Sequence, residues 1–132
     1  MNSLRLLGLS STAALAVLLS GCATAKASEV SSRQRPSRAE EGIASYYAAS
    51  LEGRSTASGE PYRGARATCA HRTHRFGTML RITDLKSGRS VVCRVNDRGP
   101  FVKGRVVDLS ASLARELGIV EQGLAKVRVE VL

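Results

Sequence analysis

Apolar and polar residues alternate along Met79-Leu80-Arg81-Ile82-Thr83-Asp84, and Lys86-Ser87-Gly88-Arg89 turns the chain into a second run, Ser90 to Val95. A period of two marks a half-buried strand, and two such runs joined by a Gly-bearing turn predict a hairpin. The period returns at the end of the chain, where Val127, Val129 and Val131 alternate with Lys126, Arg128 and Glu130, so Ala125 to Leu132 reads as a final strand. Ile43 to Ala48 and Val106 to Leu109 read as two shorter strands, the first followed by a long polar loop over 53–64 rich in Gly. Ser110 stands where a helix would be capped, Leu109, Leu113 and Leu117 recur at fourfold spacing, and Gly118 is its stop. Strands outnumber the single helix. A small closed β-barrel, which leaves no sheet edge exposed, is the economical all-β arrangement.

The first residues do not share these patterns. Arg5 precedes an apolar run, Leu6 to Leu19, too short to span a bilayer, and small residues follow; this is a secretory signal pattern over 1–21. Leu19-Ser20-Gly21-Cys22 resembles a bacterial lipobox, which implies cleavage before Cys22 and acylation of that cysteine. Ala23 follows, where an acidic residue would resemble an inner-membrane retention signal, so the expected address is the periplasmic face of the outer membrane. Residues 22–41 carry almost no large apolar side chain and read as a disordered tether. One domain is expected over 42–132, as a monomer.

The formal net charge of +9 suits the anionic envelope, whose lipid phosphates and wall carboxylates attract it, and nucleic acid is not an expected partner of an exported chain. With Cys22 acylated, Cys69 and Cys93 remain as an even pair in an oxidising compartment. A disulfide would need their Cα atoms within about 7 Å, which spacing alone leaves open. Cys69-x-His71-x-x-His74 hints at a metal but lacks a fourth ligand, so neither metal nor cofactor is expected.

Val91 to Val95 delivers Asn96-Asp97-Arg98-Gly99-Pro100-Phe101 at the end of a strand, where a rigid scaffold meets solvent and ligand. If the pleat persists, Asp97 shares a face with Val95, while Asn96 and Arg98 point the other way. A carboxyl beside valine can have its pKa raised by desolvation and act as a general acid. The competing reading is an aspartate that closes a turn through its own backbone.

Six ordered segments carry a family resemblance: Gly42-Ile43-Ala44-Ser45-Tyr46-Tyr47, Gly53-Arg54-x-Thr56-Ala57-Ser58-Gly59-Glu60, Ala70-His71-Arg72-Thr73, Phe76-Gly77-Thr78, Asn96 to Phe101, and Gly104-Arg105-Val106-Val107-Asp108-Leu109-Ser110. Together they resemble the rare lipoprotein A family, whose domain is a six-stranded double-psi β-barrel related to barwin and the expansins. The resemblance implies a lytic transglycosylase that cuts MurNAc-GlcNAc bonds of peptidoglycan, preferring strands stripped of stem peptides. Asp97, His71 and Glu60 match the family's active-site positions. Asp97 would protonate the departing glycosidic oxygen and then accept the proton of the MurNAc 6-hydroxyl, His71 would hold or polarise Asp97 or the N-acetyl group, and Arg98, Tyr47 and Ser58 would contact sugar. Asp108 occupies an expansin-like position, though its place ahead of Ser110 favours a structural role.

The chain departs from the family in carrying His74-Arg75 before Phe76-Gly77-Thr78 and Ala48 after the Tyr pair, and a C-terminal glycan-binding SPOR module is not expected. Septal targeting is therefore not implied. A non-cutting, expansin-like grip on the wall, or a tether between wall and membrane, are the competing functions.

Overall fold

The computed structural model describes residues 39–132; the expected signal sequence, Cys22 and the expected linker as far as Arg38 lie outside the described residues. Six strands, β1 (Glu40–Tyr46), β2 (Thr68–His71), β3 (Met79–Asp84), β4 (Ser90–Asp97), β5 (Arg105–Leu109) and β6 (Ala125–Val131), close into a barrel in the order β1-β5-β2-β4-β3-β6. One helix, α1 (Ala111–Leu117), separates β5 from β6. The hairpin forms as the alternation predicts. Leu80 faces Cys93 and Ile82 faces Val91, all four inward, while Arg81 faces Val92 on the outside. In β6, Val127 and Val129 fill the core, and Lys126 and Arg128 meet solvent.

Some boundaries differ from the sequence reading. β1 starts within the segment assigned to the linker, because Glu40 and Glu41 pair with Val129 and Arg128 of β6; backbone pairing orders residues that bury no apolar side chain. It stops at Tyr46, and a 3₁₀ turn over Ala49–Leu51 follows. β2 gave no pattern to read. It lies between β5 and β4 with all four residues buried, so a half-polar tetrapeptide, Thr68-Cys69-Ala70-His71, has neither an outer face nor a long apolar run to announce it.

Two pairings are parallel, β1 with β5 and β2 with β4, and each slips by one residue. Ile43 faces Arg105 but Ala44 faces Val107, leaving Val106 as the extra residue. Gly42 is required there: a Cβ on it would lie 2.4 Å from Val106 Cγ1. In the second pair Cys69 faces Val95 but Ala70 faces Asp97, so Asn96 is the extra residue. The simple pleat expected through Asp97 therefore fails at Asn96, which is buried like Val95, and the bulge re-aims the end of β4.

Cys69 and Cys93, on the adjacent strands β2 and β4, form a disulfide with Cα atoms 5.8 Å apart. Closing a loop of this length removes unfolded-chain entropy worth about 3 kcal/mol. Cys69 is thereby removed from any metal set with His71 and His74. α1 adds Leu113, Ala114 and Leu117 to the core and ends at Gly118 in the left-handed region (φ 77°). Ser110 occupies the N-cap position without a side-chain cap bond; the Ala111 amide donates instead to the Tyr62 phenol oxygen (3.2 Å), and the Ser112 amide to the Gly64 carbonyl (2.9 Å). Loop 53–64 is thus fastened to the helix entrance.

Candidate active site

Asp97 sits where the bulge at Asn96 and the positive φ of Gly99 (119°) release the chain from the sheet. Donors from three segments converge on its carboxylate. The Tyr47 hydroxyl donates to Oδ2 at 2.6 Å, and the amides of Ala57 and Arg98 donate to Oδ1, each at 2.8 Å. Tyr47 follows β1 and is held by its amide on the Leu109 carbonyl (3.0 Å) and by its ring on Tyr62, centroids 4.5 Å apart. Burial, and then the bond to Asp97, push its phenol pKa well above the ordinary range, so it remains a donor. Tyr47, expected to pack a sugar, thus gives its face to Tyr62 and its hydroxyl to the acid. Tyr62, buried and central to this arrangement, was missed because a lone tyrosine in a polar loop carries no periodic signal.

The loop over 53–64 is knitted rather than loose. Thr56 binds the Glu60 carbonyl through its amide (2.8 Å) and hydroxyl (2.7 Å), Ser55 bridges to Pro61, and the Ser58 amide donates to the Asn96 carbonyl at 3.2 Å. Ser58 Oγ faces Thr56 Oγ1 at 2.9 Å, so the hydroxyl expected to contact sugar belongs to the loop's own network. Glu60 is clasped by both arms of Arg94, each at 2.8 Å, with Asn96 Nδ2 at 3.4 Å. The Arg94 guanidinium lowers its pKa to about 2. Glu60 is therefore an ionised anchor at neutral pH and makes no hydrogen bond to Asp97.

His71 is buried on β2, and its Nδ1 accepts the amides of Thr73 and His74, both at 3.2 Å. Nε2 must then carry the hydrogen, and it donates to Glu40 Oε2 at 3.0 Å. Burial lowers the imidazole pKa, opposed by Glu40, which favours this neutral tautomer. The expectation that His71 holds Asp97 is corrected: its partner is Glu40, which also takes Arg72 (3.3 Å). Glu40 was missed because it precedes every strand signal. Arg98 makes the link between the two groups. Its amide binds the Asp97 carboxylate, its Nη1 donates to the carbonyls of His74 (2.9 Å) and His71 (3.2 Å), and its guanidinium lies 4.0 Å over Phe76.

A second carboxyl adjoins the first. Ala70 of β2 pairs with Asp97 on one side and with Asp108 of β5 on the other. Asp108 accepts a short hydrogen bond from Ser45 of β1 rather than serving the Ser110 cap. Burial raises its pKa and the charge of Asp97 adds to the rise, against the Ser45 bond and the charge of Arg105. The site therefore offers a fixed, half-exposed carboxyl, a partly buried neighbour that gives up its proton less readily than an ordinary aspartate, and a cation on the same turn. Such a set can move protons at a neutral polar substrate. Among the described residues no cluster of His, Cys, Asp and Glu could hold a metal ion.

Residues 39–129 match a family model described as lytic transglycolase. The chain is 52% identical over 94 residues, 70% of its length, to the "probable endolytic peptidoglycan transglycosylase RlpA" of Nostoc sp., covering 25% of that protein. It is 45% identical over 101 residues, 76% of its length, to the endolytic peptidoglycan transglycosylase RlpA of Pasteurella multocida, covering 34% of that protein. The chain thus spans a quarter to a third of the length of these curated relatives. Among solved structures, an expansin of Clavibacter michiganensis superposes with a TM-score of 0.56 at 24% identity, over 71% of this chain and 50% of that one. A Streptomyces papain inhibitor superposes at 0.60 and 16% identity, over 74% and 97%. At these identities the likeness is one of fold.

Proposed function

The chain belongs to the lytic transglycolase family of double-psi β-barrels, and from that premise we propose that it cuts peptidoglycan strands between MurNAc and GlcNAc, leaving 1,6-anhydroMurNAc ends. The observation that carries the reading is the Asp97 carboxyl, aimed by donors from Tyr47, Ala57 and Arg98 at the rim of a rigid barrel. Asp97 donates its proton to the glycosidic oxygen as the C1–O bond breaks. The MurNAc 6-hydroxyl oxygen bonds to C1, and its proton returns to Asp97. No water is consumed, so one carboxyl serves both halves, where a hydrolase of the same bond generally needs a second to act on water or on the anomeric carbon.

His71 and Glu60 act here as positioning residues. Glu60, through Arg94 and Asn96, fixes β4 and the loop that supplies the Ala57 amide; His71, through its loop carbonyls, fixes Arg98. The absence of a direct bond from either residue to Asp97 favours, as a second reading, an expansin-like grip without cleavage. Mass spectrometry of products from amidase-treated sacculi decides between them. Fragments lighter by one water than hydrolysis products, absent with Asp97→Asn, support cutting; binding without fragments selects the grip.

The same proposal places the protein in the envelope, anchored through acylated Cys22 to the outer membrane and acting as a monomer. The anchor is supported by the sequence Leu19-Ser20-Gly21-Cys22, and the outer-membrane address by Ala23 after it. Palmitate labelling that persists in Cys22→Ala would overturn the anchor.

A further inference from the structure

Three described arginines are half-buried, and two of them face a carboxylate: Arg94 clasps Glu60, and Arg105 lies within electrostatic reach of Asp108. Arg98, the third, forms no ion pair among the described residues. Its side-chain hydrogen bonds all leave from Nη1, to the carbonyls of His71, His74 and Asp97, and its plane rests on Phe76. Nε and Nη2 have no partner in the described structure. The guanidinium is therefore anchored along one arm and stacked on one face, while the edge that matches a carboxylate's two oxygens stays unused, one residue from the acid. Side-chain entropy is already lost in this arrangement, so a ligand gains more from it than from a free surface arginine.

We propose that the Nε–Nη2 edge of Arg98 binds a carboxylate of the glycan strand and so sets which strands the site accepts. The proposal rests on the peptidoglycan reading above. Two carboxylates meet the chemistry: the lactyl carboxylate that MurNAc exposes once its stem peptide is removed, and the carboxylates of the stem peptide itself. A sugar hydroxyl would use one N–H and leave the charge unanswered; a carboxylate uses both and answers it. Exposed Arg75 on the adjoining loop adds positive potential without an anchored geometry.

The test measures binding of the whole protein, by co-sedimentation, to three strand preparations: amidase-stripped, stripped and then methylamidated at the lactyl carboxylates, and peptide-bearing. The expected result is roughly tenfold tighter binding to free-carboxylate than to amidated strands, a ratio that falls close to one in Arg98→Gln. Arg98→Lys keeps the charge but not the fork and should lose most of the ratio; it decides the matter if the Gln variant does not fold. Arg75→Gln should keep the ratio. Tightest binding to peptide-bearing strands, lost in Arg98→Gln, would support the arginine and assign the carboxylate to the peptide. Equal binding of all three preparations by the wild type, an equal loss on all three in Arg98→Gln, or a preference lost instead in Arg75→Gln would overturn the proposal. Because binding is read without turnover, failure to cut would sink the transglycosylase reading and leave this measurement standing.

Discussion

Asp84 and Asp97 end the two strands of one hairpin, at opposite ends of the barrel, and their carboxylates are engaged in different ways. Asp84 is buried and accepts only from the turn it starts: the amides of Lys86 and Ser87, both at 3.2 Å, and the Ser87 hydroxyl at 2.6 Å. Asp97 is half-exposed and takes one bond from its neighbour Arg98, but the other two come from Tyr47 and Ala57, 50 and 40 residues earlier in sequence. Both begin as an aspartate closing a β-strand. What separates them is the origin of the donors. Bonds made within a turn stabilise the turn, and bonds imported from other segments fix a side chain relative to the whole barrel while leaving it open to a ligand.

The largest expected effect follows from that contrast. Asp97→Asn should lower glycan cleavage about 10²–10⁴-fold, the range of a lost general acid, with little change in the urea midpoint. An unfolding loss comparable to the activity loss would merge the two aspartates into one structural class. Asp84→Ala is the mirror experiment. It should cost about 2 kcal/mol in urea unfolding, from loss of a buried hydrogen-bonded carboxylate, and leave the activity of the folded fraction near that of the wild type.

Tyr47→Phe sharpens the comparison, because it keeps the ring against Tyr62 and removes a single imported donor. Roughly tenfold slower cleavage at most, with the thermal midpoint nearly unchanged, is the expected outcome, since a single hydrogen bond contributes about 0.5–1.5 kcal/mol net. Unchanged rates would mean that Asp97 needs no aiming from Tyr47.

The smallest effect lies in acid. Burial alone would raise the Asp84 pKa, but the Ser87 hydroxyl and the Lys86 and Ser87 amides outweigh it and leave the carboxyl below its ordinary range. Glu60 is likewise depressed, from 4.5 to about 2, by Arg94. A depressed carboxylate stabilises the fold fully above its unfolded pKa and loses that contribution as pH falls toward the folded value. Unfolding free energy should thus decline from pH 4.5 towards 2, less steeply in Glu60→Gln, and only slightly less because Glu60 is partly solvated. Asp108 has the opposite sign: burial raises its pKa, so ionisation costs stability as pH rises from 3.8 towards its folded value.

Much of the barrel was legible in the chain. Alternation at Met79–Asp84, Ser90 to Val95 and Ala125–Val131 dictates which side chains face inward, because a strand's period is fixed by backbone geometry alone. Gly118 ends its helix for the same local reason. The family segments also named Asp97, His71 and Glu60 as residues to explain. Their partners were not legible. That Glu40 meets His71, that Arg94 clasps Glu60, and that Tyr47 and Ala57 aim Asp97 all depend on pairings between segments 31 to 50 residues apart. β2 and the bulge at Asn96 were invisible for a related reason, since a strand buried between two others and a one-residue slip leave no periodic trace. Sequence determined the local periodicities and the identity of the chemical groups, because both follow from single residues and their near neighbours. Tertiary structure alone decided which donor meets which carboxylate, because closing the barrel sets the register of strands remote along the chain.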